Sequence, residues 1–150
     1  MIDYNIREIK LGQSVTAEDI SEDLEFLDDW EERYRYIIDL GKQLPVMPEE
    51  LRTEERFVRG CQSQVWLVTD YDADNDTLHL AVESDALIVR GLAAIVLTAL
   101  NGQSPADVTR YDMDAFFARI DLLRHLSPTR GNGLLSMVSR IKQEAANLTA

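Results

Sequence analysis

The chain contains one cysteine and two histidines. Cys61 lies in the run Arg59, Gly60, Cys61, Gln62, Ser63, Gln64, Val65, Trp66, Leu67, where a turn glycine and polar residues lead into an apolar segment. A lone thiol cannot close an internal disulfide. Nor can it supply the several ligands of a structural zinc or iron–sulfur site, so its available chemistry is nucleophilic or carrier chemistry. The bland alternative is an inert buried cysteine, since free cysteine is among the most buried residue types. Gly60 permits a sharp turn, and the Arg59 guanidinium could stabilise a thiolate if it turns towards the sulfur. Gln62, Ser63 and Gln64 either shape the loop and hydrogen-bond the sulfur or form an ordinary polar turn.

A thiol enzyme would need a base. The candidates are His79 and His125, with a Cys61–His125 dyad as the hydrolase or transferase version. His79 is expected on the polar face of a strand, and His125 falls in the helix-end segment Leu123, Arg124, His125, Leu126, so each reads as a surface or packing residue. A second class is a non-catalytic acidic binding module in which the cysteine is incidental.

The elements that must position Cys61 fit one domain. A chain of 150 residues buries about 70% of its unfolded surface and needs no disulfide or metal. No repeat or low-complexity linker divides residues 1–150, and residues 1–15 are expected as a loose N-terminal arm. Met1–Glu8 has neither a basic start nor an apolar run, so no leader is expected and a reducing cytoplasm is the default. The net charge of −12 argues against a nucleic-acid surface. Residues 1–50 hold 14 acids against 5 bases, while residues 101–150 hold 5 against 6. The acidity therefore belongs to the N-terminal third, as a solvated helix face or a surface for a basic partner.

Thr16–Asp19 and Ser21–Asp23 are both helix starts. Leu24, Leu27, Trp30, Tyr34, Ile37 and Ile38 recur at helical spacing, and Gly41 and Pro45 end that helix. Gln64–Tyr71 and Thr77–Glu83 read as two strands joined by a hairpin loop at Asp72–Asp76, the second strand half-buried. Ser84 or Asp85 caps an apolar helix from about Ala86 to Leu100, too short at roughly 15 residues to cross a bilayer that needs about 20. Ser104 and Pro105 start a short turn, and Met113–Leu123 forms another helix. Ser127–Gly133 breaks the chain before a last helix bearing Leu134, Leu135, Val138 and Ile141. The order of elements gives an α+β fold with a small antiparallel β-sheet packed against helices.

Several of these segments together resemble the SufE family of sulfur acceptors. The resemblance runs through Trp30–Tyr34, Ile37–Gly41 with Leu44 and Pro45, Val58–Trp66, Ser84–Ala86, Ile88–Leu92 and Leu126–Leu134, in the family's order over about residues 25–140. It implies a SufE/IscU-like fold. It further implies that Cys61 takes sulfane sulfur from a pyridoxal-phosphate-dependent cysteine desulfurase, stimulates that enzyme, and passes the sulfur towards an iron–sulfur cluster scaffold. On this resemblance the protein carries no cofactor or metal of its own and has no independent turnover. Arg130 falls in the family's Ser-Pro-Thr-Arg pattern, which implies a role on the anionic sulfur or at the desulfurase interface. A helix-start residue bonding local carbonyls is the alternative. Asp85 matches the family's Ser-Asp-Ala pattern, although a helix N-cap explains it as well. Phe57 departs from the pattern, where a polar residue is expected.

Overall fold

The computed structural model describes residues 4–149. Helices α1 (Ala17–Glu25) and α2 (Trp30–Gly41) come first, followed by the hairpin strands β1 (Val65–Asp72) and β2 (Thr77–Ser84). Helices α3 (Leu87–Leu100), α4 (Pro105–Arg110), α5 (Met113–Arg119) and α6 (Pro128–Thr149) complete the chain. The fold is α+β. The strands pair antiparallel with Val65 opposite Ser84 and Asp72 opposite Thr77. Helix α3 is the centre: residues 91–100 are all buried, with α2 crossing one side and β2 packed on another.

The N-terminal helical stripe is two helices rather than one. A capping box between Thr16 and Asp19 starts α1, and the Asp29 carboxylate accepts the Glu32 N–H at 2.8 Å to start α2. Such side-chain caps compete with helix continuation. The break between them is secured by Arg33, whose Nε donates to the Leu27 carbonyl at 2.9 Å. Helices α2 and α3 then meet at bare backbone. A Cβ on Gly91 would stand 2.3 Å from the Ile37 carbonyl oxygen, and one on Gly41 would stand 2.6 Å from the Gly91 nitrogen.

The expected loose arm is packed where it is described. Ile6, Ile9 and Leu11 are buried, Arg7 pairs with Asp70 at 2.7 Å, and Asn101 donates to the Leu11 carbonyl while accepting the Leu80 N–H. Residues 1–3 of that arm lie outside the described residues. This packing also explains why β2 is buried on both faces instead of half-buried. His79, expected on a polar face, is 6% exposed, and its Nδ1 has no hydrogen-bond partner.

Glu83, on the same face, is 3% exposed. Its carboxylate accepts the Met47 and Ser84 N–H groups, each at 3.0 Å, and lies 3.4 Å from Arg90. Arg90 in turn donates to the Leu44 carbonyl at 2.8 Å. The buried charge is thus paired and hydrogen-bonded, and it pins the connection from Leu44 to Met47 onto the core.

Towards the C-terminus, α5 stops at Arg119, short of the expected Leu123: Asp121 turns into the left-handed region at φ 54°, and a separate 3₁₀ turn follows at Leu123–His125. Helix α6 begins at Pro128, inside the segment expected as a break. Proline pre-sets the first helical position, and the Ser127 side chain accepts the Arg130 N–H at 3.2 Å, which is enough to start a helix through two glycines.

Candidate functional site

Cys61 sits in a loop closed at its base by the Val58 N–H donating to the Val65 carbonyl at 2.8 Å. Phe57, where a polar residue is expected, packs edge-on against Trp66 at the same base. Trp66 is only half-buried, with the Arg52 guanidinium over its ring. The loop lies on one face of α6. Arg140 donates to the Phe57 carbonyl at 3.1 Å and to the Glu55 carbonyl at 2.6 Å. Gly60, at φ +93°, passes so close to Ser136 that a Cβ would fall 2.5 Å from its hydroxyl oxygen. Gly133 faces Cys61, its own missing Cβ falling 3.5 Å from the sulfur. Residues 133, 136 and 140 share one helix face by their spacing, so α6 is the bed on which the cysteine loop rests.

The thiol donates a hydrogen bond to the Gly133 carbonyl at 3.3 Å. Around it is a pocket of about 100 Å³, lined on the loop side by Gln62 and Ser63, on α3 by Val89 and Leu92, and at the start of α6 by Ser127, Thr129 and Arg130. Burial pushes the Cys61 thiol above its ordinary 9.0, because a thiolate loses hydration there. In this arrangement Cys61 is a sheltered, protonated thiol.

The expected site residues separate accordingly. Arg130 and Gln62 line the pocket with Cys61. Arg59 does not turn towards the sulfur. It is exposed and bonds Glu54 at 2.5 Å, because the left-handed turn at Gly60 separates it from the thiol. Asp85 is not the cap of α3, whose N-cap is Ala86 with no side-chain bond. Its carboxylate instead accepts the Gln64 N–H at 3.0 Å, tying the end of the cysteine loop to the end of β2. Ser84 accepts the Ala86 N–H. Neither His79 nor His125 lines the pocket, so no imidazole is placed there to form a dyad with Cys61. Gly133, Ser136 and Arg140 were missed from the sequence. The available signal was their spacing on one face of α6, which becomes visible only once the helix is seen to begin at Pro128.

The site and fold together define a class: a small α+β protein presenting one thiol from a loop held against a helix. Within that class the chain belongs to the SufE family, whose model, described as an Fe-S metabolism associated domain, matches residues 18–145. An uncharacterized SufE-like protein of Rhizobium meliloti (strain 1021) is 54% identical over 132 residues, covering 87% of this chain and 94% of that protein. A second, from Rhizobium etli, is 50% identical over 132 residues, covering 87% of this chain and 89% of its own. The solution structure of a hypothetical protein from Thermus thermophilus shares the fold with a TM-score of 0.69 at 22% identity, covering 94% of this chain and 97% of that one. No helix among the described residues is long and apolar enough to cross a membrane.

Proposed function

We propose that Cys61 is a persulfide carrier in iron–sulfur metabolism, working in a reducing cytoplasm beside a pyridoxal-phosphate-dependent cysteine desulfurase. The Cys61 thiolate attacks the outer sulfur of the desulfurase's cysteine persulfide. A new sulfur–sulfur bond forms on Cys61 as the old one breaks, the partner's cysteine leaves as a thiolate, and the proton of the Cys61 thiol goes to solvent or to a base of the partner. No net oxidant is needed. The loaded sulfur then passes to a downstream scaffold by the same exchange.

The observation that carries this reading is the single thiol of the chain held at a pocket on a loop. A second cysteine nearby could attack the persulfide, release sulfide and close a disulfide, so a carrier gains from having one. The resting pocket shelters the thiol and keeps it protonated, and the loop has to swing away from α6 for the sulfur to reach a partner. On this reading Arg130, which lines the pocket, meets an anionic sulfur or the desulfurase, Gln62 lines the same pocket, and Asp85 holds the end of the loop through the Gln64 N–H. Arg59 contributes to the partner-facing surface rather than to the sulfur.

The experiment is desulfurase turnover with cysteine as substrate, with the parent protein or Cys61→Ser added. Stimulation by the parent and none by Cys61→Ser, with binding retained, is the expected result. Equal stimulation by both removes Cys61 from the mechanism.

A further inference from the structure

The connection between α5 and α6 carries the rim of the pocket around Cys61, and its apolar anchors are the buried Ile120 and Leu122 with the partly buried Leu123 and Leu126. Leu122 is buried at its start, but the 3₁₀ turn Leu123–His125 that follows has no buried residue, and Asp121 stands in the left-handed region at φ 54°. Two residues beyond His125 the chain reaches Ser127, then Thr129 and Arg130, all three lining the pocket beside Cys61.

The stacking and hydrogen-bonded attachments of this turn to α2 converge on His125. Its ring stacks on the Trp30 indole with centroids 4.0 Å apart and planes 19° from parallel. Its backbone carbonyl accepts the Tyr34 hydroxyl, and its Nε2 lies 3.3 Å from the Asp121 carboxylate. Trp30 and Tyr34 are one turn apart on α2, so both attachments come from one face of a rigid element. The Arg33 guanidinium lies 5.1 Å from the centre of the Trp30 ring, and the same side chain bonds the Leu27 carbonyl. The indole is therefore held at the start of α2, and α2 is locked on α3 by the close glycine crossing.

We propose that His125 is a positioning residue for Cys61: clamped between Trp30 and Tyr34, it fixes the start of α6 and holds Ser127, Thr129 and Arg130 over the thiol. Its role in sulfur transfer rests on the carrier reading. Its role in closing the pocket does not, and the test below uses no desulfurase, so a failure here is separate from a failure of that reading.

The measurement is the alkylation rate of Cys61 by iodoacetamide in the full-length parent, His125→Ala, His125→Phe and Leu11→Val. Leu11 is a fully buried core residue outside the pocket lining, so Leu11→Val reports on general loosening of the fold. Fold is checked by circular dichroism and thermal unfolding. Loss of a stacked ring pair is worth roughly a 2- to 10-fold change in an opening equilibrium, and His125→Ala is expected to raise the alkylation rate by that much. His125→Phe keeps a ring on Trp30 and the carbonyl for Tyr34, and is expected to return the rate to that of the parent. An unchanged rate in His125→Ala, no rescue by His125→Phe, or an equal rise in Leu11→Val overturns the proposal.

Discussion

The Cys61 thiol points its proton at the carbonyl oxygen of Gly133, 3.3 Å away on α6. Burial raises its pKa above 9.0, and a bond that only the neutral thiol can donate acts in the same direction. The helix that supports the loop thus also keeps the sulfur in its unreactive form. On the proposed carrier role, a partner has to break this contact before transfer.

The pH dependence follows with a definite sign. The folded pKa lies above the ordinary value, so the protonated thiol stabilises the closed loop fully below that value, and this contribution is lost as pH rises through the folded pKa. Iodoacetamide alkylation of the parent is expected to keep accelerating past pH 9.0, whereas alkylation of a peptide spanning residues 59–66 levels off once its thiol has titrated at the ordinary cysteine value. A plateau shared with the peptide would show that the thiol is not sheltered.

Asp85 closes the far end of the same loop through the Gln64 N–H. Asp85→Ala is expected to cost about 0.5–1.5 kcal/mol in urea unfolding and to speed Cys61 alkylation. A helix cap would give the stability loss without the change at the thiol, so the two readouts together distinguish the roles.

The two arginines near the cysteine in sequence or in space should behave oppositely. Arg130→Ala is expected to lower desulfurase stimulation on the order of tenfold, the value of one charge-assisted hydrogen bond, with unfolding unchanged. Arg59 is spent on an exposed pair with Glu54, so Arg59→Ala is expected to shift stability by at most about 1 kcal/mol and to leave the alkylation profile as in the parent. A profile altered by Arg59→Ala alone would place its charge on the sulfur after all.

The α2–α3 crossing should admit no side chain. At Gly91 a Cβ would meet the Ile37 carbonyl at 2.3 Å, and backbone cannot step aside as a flexible side-chain tip can. Gly91→Ala is therefore expected to destabilise the protein by about 1–3 kcal/mol or more, read as a lowered urea midpoint. An unchanged midpoint would mean that the two helices are not in backbone contact.

The features legible in the sequence were the local ones. β-branched and aromatic residues marked the first strand and alternation the second, ten buried residues of α3 appeared as a continuous apolar run, and Cys61 stood out by its context. The readings that failed depended on contacts made elsewhere in the chain. Glycines 131 and 133 looked like a break because the sequence does not show that one of them must lie beside Cys61. Asp85 looked like a cap because its true acceptor role is to the N–H of Gln64, 21 residues away. His79 looked exposed because alternation cannot report what covers the second face of β2. The N-terminal segment looked loose because its apolar residues have no regular period, although Ile6, Ile9 and Leu11 are buried.

The central claim is that Cys61 carries sulfur, and intact-mass spectrometry tests it most directly. The protein is incubated with a cysteine desulfurase and cysteine, without reductant, beside a Cys61→Ser control. The expected result is a gain of one sulfur atom on the parent, lost on adding a thiol reductant and absent from Cys61→Ser. A parent mass that stays unchanged while the desulfurase turns over, or the same gain on Cys61→Ser, would contradict the account.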